Sequence, residues 1–162
     1  MLHHVFYSAT RLVHRLVFPG MDYPLPNFHF IVEWGGQRLG FSEVSGLDIE
    51  YAAIAYREGA DPEYRSTRMP GQQKPGTVTL KRGLVEGDNE FFDWINTIAL
   101  NKVQRRDVLV KLLNERHDPA FVWRIHNAWP VKYIGPELNA HGNEVAIEAL
   151  ELAHDGISVE AV

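Results

Sequence analysis

Residues 28–34, FHFIVEW, put Phe28, Phe30, Val32 and Trp34 on one side of an extended chain and His29 and Glu33 on the other. That period of two suits a strand with one buried face and does not suit a helix, whose apolar positions recur every three to four residues. The same alternation returns in TVTLKR (77–82), with Val78 and Leu80 inward, and in DVLVKLL (107–113). In FVWRIHN (121–127), Phe121, Trp123 and Ile125 oppose Arg124 and His126, while GLDIEYAAIAY (46–56) keeps Leu47, Ile49, Tyr51, Ala53 and Ala55 in register. Gly35-Gly36 predicts a tight turn that brings QRLGFSEV back as a first hairpin, and the polar NERHDP predicts a second hairpin. One stretch changes period. Phe91, Phe92, Ile95, Ile98 and Ala99 follow a capping Asp88 at helical spacing and predict a helix over about 89–101. NEVAIEALELAH (143–154) is helical by propensity, but its β surroundings and the following Gly156 favour a strand, which is the expectation. The sum is a mainly β, antiparallel domain, barrel or two packed sheets, with one flanking helix.

Residues 57–74, REGADPEYRSTRMPGQQK, interrupt this pattern. Connections in compact domains usually run to about 4–6 residues, and much longer ones carry function. The large apolar residues here are Tyr64 and Met69, among the basic Arg57, Arg65, Arg68 and Lys74 and the acidic Glu58, Asp61 and Glu63. An extended functional loop is expected, its charges suited to setting the register of a contact.

Composition removes whole classes of function. With no cysteine, neither disulfides nor thiolate zinc sites hold the fold. A formal charge of −5, with no basic run longer than Lys81-Arg82 or Arg105-Arg106, argues against a nucleic-acid binder. The eight histidines show no metal-ligand spacing, and GxSxG, P-loop and GxGxxG motifs are absent, so no cofactor is expected. Enzymatic chemistry would have to rest on residues such as His126 and Asp107, and a monomeric ligand-binding sandwich is the other alternative; neither has a motif behind it. Trp34, Trp94, Trp123 and Trp129 follow the strand and helix periods and read as packing.

The first twenty residues differ in kind. They hold two Arg, three His and no acid, leaving residues 21–162 with 14 basic against 21 acidic residues, a charge of −7. Val5, Phe6, Leu12, Val13, Leu16 and Val17 recur at helical spacing, but His14 and Arg15 break the run, so no signal peptide is expected. Three readings stay open: an amphipathic helix docking on a partner or membrane surface, an organelle-type transit segment, or an upstream start with Met21 as the natural first residue.

YPLPNFHFIVEW, FSEVSGLDIEY, YREG, MPGQQK, LKRG, DNEFFDWINT, RRD, NAWPVK and GNEVAIEALELAHDG, in this order, resemble the inner tube protein of contractile injection systems. That family includes phage tail tube proteins, antifeeding-prophage-type particles and the Hcp tube. The resemblance covers Met21 to nearly Val162 and implies an Hcp-like β-barrel of two packed sheets. It also implies six-membered rings stacked into a hollow tube inside a sheath, capped by baseplate, spike and terminator proteins. The implied subunit carries effector cargo in its lumen, has no catalysis, does not itself insert into membranes, and is assembled in the bacterial cytoplasm. On this chain the 57–74 loop corresponds to the family's arm toward a neighbouring ring or subunit, with Tyr64 and Met69 as its apolar anchors. Lumen-facing positions would include Lys111, Arg124 or Glu148.

Overall fold

A computed structural model describes residues 24–37 and 40–162, so the expectations for residues 1–20 lie outside the described residues. In chain order the elements are β1 (Phe30–Glu33), β2 (Glu43–Ser45), β3 (Tyr51–Tyr56), β4 (Thr67–Gln73), β5 (Thr77–Gly83), α1 (Glu90–Ala99), β6 (Arg106–Leu113), β7 (Pro119–Ile134), β8 (Ile147–Ala153) and β9 (Gly156–Ala161). Seven strands form one antiparallel sheet along the path β1-β6-β7-β8-β5-β2, with β9 added beside β7, and β3 and β4 form a separate two-stranded sheet. Two antiparallel sheets with one helix answer the sequence pattern; the hydrogen-bonded path does not close into a barrel.

The 16-residue β7 joins the two halves of the large sheet. Its first part pairs with β6 and β9, from Phe121↔Ala161 to His126↔Gly156, and its second part pairs with β8 from Trp129↔Ala153 onward. Between them Asn127 sits at φ 49°, a left-handed conformation that Asn tolerates better than most side chains. Its backbone N–H donates to Asp107 Oδ1 at 3.0 Å and its side-chain amide donates to Asp155 Oδ2 at 2.9 Å. The corner is therefore held from β6 and from the turn between β8 and β9.

The core lies between the halves and under α1, where Val32, Trp34, Val78, Leu80, Phe91, Trp94, Val108, Ile125, Leu150 and Leu152 are buried. Strand parity places them: Val78 and Leu80 on β5, Val108 and Val110 on β6, Leu150 and Leu152 on β8. The second hairpin forms as expected, β6 against β7 around Asn114, whose Oδ1 accepts from the N–H groups of Arg116 and Asp118. The 143–154 segment resolves as strand, because β8 is inserted between β5 and β7 and both neighbours supply backbone partners.

The first hairpin does not form. β1 pairs with β6, and β2 pairs with β5, so the two strands flanking Gly35-Gly36 are not partners. Gly35 adopts a positive φ of 81°. Gly36 is small for a different reason: a Cβ there would stand 2.0 Å from the Trp34 ring, which turns under the loop to pack on Phe41, Phe91 and Trp94. Gly36→Ala should therefore destabilise the domain by about 1–3 kcal/mol through overpacking, read as a lower denaturant midpoint at unchanged m-value.

Arg82 continues the inward parity of Val78 and Leu80 and is fully buried. Opposite it in register is Glu148, also buried, whose Oε1 accepts from Arg82 Nε at 2.8 Å. Arg82 Nη2 reaches Asp88 Oδ1 at 3.0 Å, and the same oxygen accepts the Glu90 N–H at 3.2 Å, so Asp88 satisfies one free amide of α1 from the position before the N-cap, which is Asn89 and not Asp88. The guanidinium also lies over the Phe91 ring, 4.0 Å from its centroid. Glu148 Oε2 accepts from the Tyr133 hydroxyl at 3.0 Å. Burial, followed by that bond to a carboxylate, raises the Tyr133 phenol above its ordinary value. This buried site overturns the expectation that Glu148 lines a lumen: its carboxylate is consumed inside the domain. Arg82 Nη1 also stands 3.7 Å from Glu90 Oε2, so removing the guanidinium takes the counter-charge from three carboxylates. Arg82→Met should cost about 3–5 kcal/mol in urea unfolding, and Arg82→Met with Glu148→Gln should cost less than the sum of the two single changes.

Candidate functional site: an uncovered β ribbon

Among the described residues, β3 and β4 pack on each other and make no substantial contact with another strand or with α1. Seven of the eighteen residues of the 57–74 segment are not loop: Thr67–Gln73 is a strand, paired Tyr56↔Thr67, Ala55↔Arg68, Ile54↔Met69 and Ala53↔Pro70. Its sequence hid this because TRMPGQQ carries Pro and Gly and has no period. Pro70 is tolerable because β4 has only one strand neighbour, leaving the other edge free of hydrogen-bond demands. The remaining arm, residues 57–66, joins the two strands as the ribbon's tip.

Register sorts the ribbon into two faces. Ile54, Met69 and Tyr56 share one of them and are 48%, 44% and 52% exposed, so an apolar face stands in water. Two-stranded ribbons are marginal alone, and an exposed apolar patch of this kind marks a contact surface. At the tip, the Arg57 guanidinium stacks over the Tyr64 ring at 4.5 Å, with Tyr64 itself 90% exposed. Asp61 Oδ1 accepts the Glu63 N–H at 3.0 Å, and Glu63 pairs with Arg65 at 2.7 Å, both side chains open to solvent. Lys74 pairs with Glu50 at 2.5 Å and closes the root. Of the nine residues singled out in sequence, the structure brings Arg57 to Tyr64, Glu63 to Arg65, and Met69 to Ile54; Glu58 and Arg68 are exposed without a side-chain partner among the described residues. Tyr51, Ile54 and Tyr56 were missed as ribbon residues, although three large apolar residues in one weakly patterned strand were a visible signal.

Elsewhere the titratable groups are engaged separately. His126 Nε2 meets Ser158 Oγ at 3.0 Å, and Asp107 is committed to the Asn127 corner, so neither joins a convergent site. No group of three or more potential ligands is placed to hold a metal among the described residues. Lys111 and Glu33 form a salt bridge at 2.5 Å across the outer face of β1 and β6, and Arg124 is exposed on the same face of β7, consistent in placement with polar outward positions. Among the described residues no helix is long and apolar enough to cross a membrane.

The ribbon is rooted beside a hollow of about 160 Å³ lined by Gln73, Lys74, Pro75, His154, Asp155 and Gly156. His154 Nδ1 accepts the Gly156 N–H at 3.1 Å, which requires that nitrogen to be unprotonated. Burial lowers the His154 pKa from its ordinary 6.5, partly opposed by the Asp155 charge. The unfolded chain then takes up this proton at a higher pH than the folded one. Stability from this group is full above the ordinary histidine value and is lost as pH falls through it toward the lower folded value. His154→Gln should flatten that part of the pH–stability curve, measured by urea unfolding between about pH 7 and pH 5.

The family model of the T4-like virus tail tube protein gp19 matches residues 26–158, and the chain belongs to that family. Among solved structures it is similar to a chain of the sheath–tube complex of an extracellular contractile injection system (PVC, extended state), at 34% identity and TM-score 0.80 over 97% of this chain and 100% of that one. It is likewise similar to a chain of the PVC sheath/tube terminator, at 36% identity, TM-score 0.81, and 88% and 100% coverage. A third likeness is to a chain of the anti-feeding prophage tube-terminating cap, at 33% identity, TM-score 0.81, and 88% and 95% coverage. No curated protein matches the chain. The resemblance read from the sequence is met: this is a tail tube protein of contractile injection systems, a structural inner-tube subunit.

Proposed function

We propose that copies of the chain form six-membered rings that stack into a hollow tube, and that the β3–β4 ribbon with its 57–66 tip is the arm that reaches the next ring or subunit. The observation that carries this is the uncovered Ile54–Met69–Tyr56 face on a ribbon that its own body leaves unsupported. Association would supply the burial that the isolated ribbon lacks, and unpaired strand edges would add directional hydrogen bonds. The charged tip would set register more than affinity.

The wider assembly follows by similarity. A sheath would surround the tube, with baseplate and spike at one end and a terminator at the other, in keeping with the sheath–tube, terminator and cap assemblies of the similar structures. Protein effectors would travel in the lumen, with contraction of the sheath supplying the work. The subunit itself would be non-catalytic and would be assembled in the bacterial cytoplasm; the structural role of its family supports that reading.

Met69→Asp should leave a folded subunit while placing an unpaired carboxylate in the contact, a change worth about 2 kcal/mol or more at a central interface residue. Sedimentation should find wild-type protein in large assemblies and the variant in small species with an unchanged far-UV spectrum. Long tubes from the variant would remove the ribbon from the assembly contact.

A further inference from the structure

Two histidines far apart in sequence meet at the turn between β6 and β7. His29 stands directly before β1, and its carbonyl accepts the N–H of Leu113, the last residue of β6, at 2.9 Å. His117 belongs to the turn, where its N–H donates to the Asn114 carbonyl at 3.0 Å and its backbone takes a φ of 62°. The two ring centres lie 4.4 Å apart, with their planes at 67°. Backbone is thus tied down on both sides, and what remains free is rotation of the side chains. Among the described residues neither imidazole has a hydrogen-bond partner. Their contacts are aromatic, His29 meeting Phe28 as well as His117.

We infer that His29 and His117 form a two-imidazole site for a transition-metal ion of the zinc class, a clip between the start of β1 and the β6–β7 turn of one copy. A neutral imidazole keeps a lone pair on one ring nitrogen. Such a nitrogen is a ligand for zinc, copper and nickel rather than for calcium or magnesium, which take oxygen. The spacing fits. With each nitrogen about 2.1 Å from the ion, two imidazoles at a right angle around it have ring centres roughly 4.5 Å apart, against the 4.4 Å found. The turn also carries Glu115 and Asp118 against one Arg116, a local negative balance that favours a cation. No motif betrays the pair, because the pairing of β1 with β6 makes it, not local spacing. Two protein ligands hold an ion less firmly than the three or four of catalytic and structural zinc centres, so a chelator should empty the site.

Urea unfolding of the full chain at about pH 7.5, where neutral imidazole predominates, measures the site through the stabilisation that a ligand of the folded state confers. Graded ZnCl2 should raise the midpoint along a one-site curve, and EDTA should return it. Each variant is compared with its own zinc-free midpoint, so a loss of basal stability does not imitate a loss of binding. His29→Gln should weaken the apparent zinc affinity at least tenfold. So should His117→Asn, chosen because Asn accepts the left-handed backbone. His141→Gln, at an exposed histidine of the β7–β8 loop, and the double change His3→Gln with His4→Gln should leave it unaltered. No rise in the wild-type chain would overturn the site, as would a rise that survives in both pair variants or disappears in a control. A rise that grows with protein concentration would place the ion between copies and would overturn the clip within one chain.

Discussion

A guanidinium without access to water stands where the layers of the body meet. Arg82 belongs to β5, is bonded to Glu148 on β8 and to Asp88 before α1, and lies against Phe91 of the helix. Desolvating such a group is costly unless its partners are well placed, and here the cost is offset by two carboxylates at hydrogen-bond distance and an aromatic face. Helix and sheet are consequently held in one relative arrangement, because few other placements of α1 would satisfy the charge. Trp34 completes the device: Arg82 and Arg106 lie 5.3 Å and 5.4 Å from its ring, and it packs edge-on to Phe91.

Much of this body was legible in the sequence, because strands with one buried face write their period into it. β1, β5, β6 and β7 follow that period, and the switch to helical spacing after Asp88 marks α1. What could not be read was pairing at long range. Gly35-Gly36 looks like a hairpin turn, yet Val32 lies opposite Val110, and no local pattern encodes a partner so distant. The β7 corner was hidden for a similar reason, since Asn127 needs Asp107 of β6 and Asp155 of the β8–β9 turn before its left-handed backbone makes sense.

Arg82 and Glu148 show a signal that was present and went unused. Each carries a charge at the inward parity of its strand, Arg82 after Val78 and Leu80, Glu148 before Leu150 and Leu152. Opposite charges on core parity in two strands imply a buried pair. The ribbon was half legible: its length and charge pointed to function, whereas β4 exists as a strand only through its register with β3, which Pro70 and Gly71 conceal. Ile54 and Tyr56 were overshadowed by Met69 and Tyr64, although it is their common face with Met69 that is left uncovered.

The proposed division of work is a body that forms the tube wall and a ribbon that serves as the connector between copies. Whether the connector lies between subunits is most directly tested by cryo-electron microscopy of assembled full-length protein. The account predicts stacked rings in which residues 51–73 of each copy are buried against another copy. Rings whose ribbons project into solvent, or a protein that stays monomeric at high concentration, would contradict it.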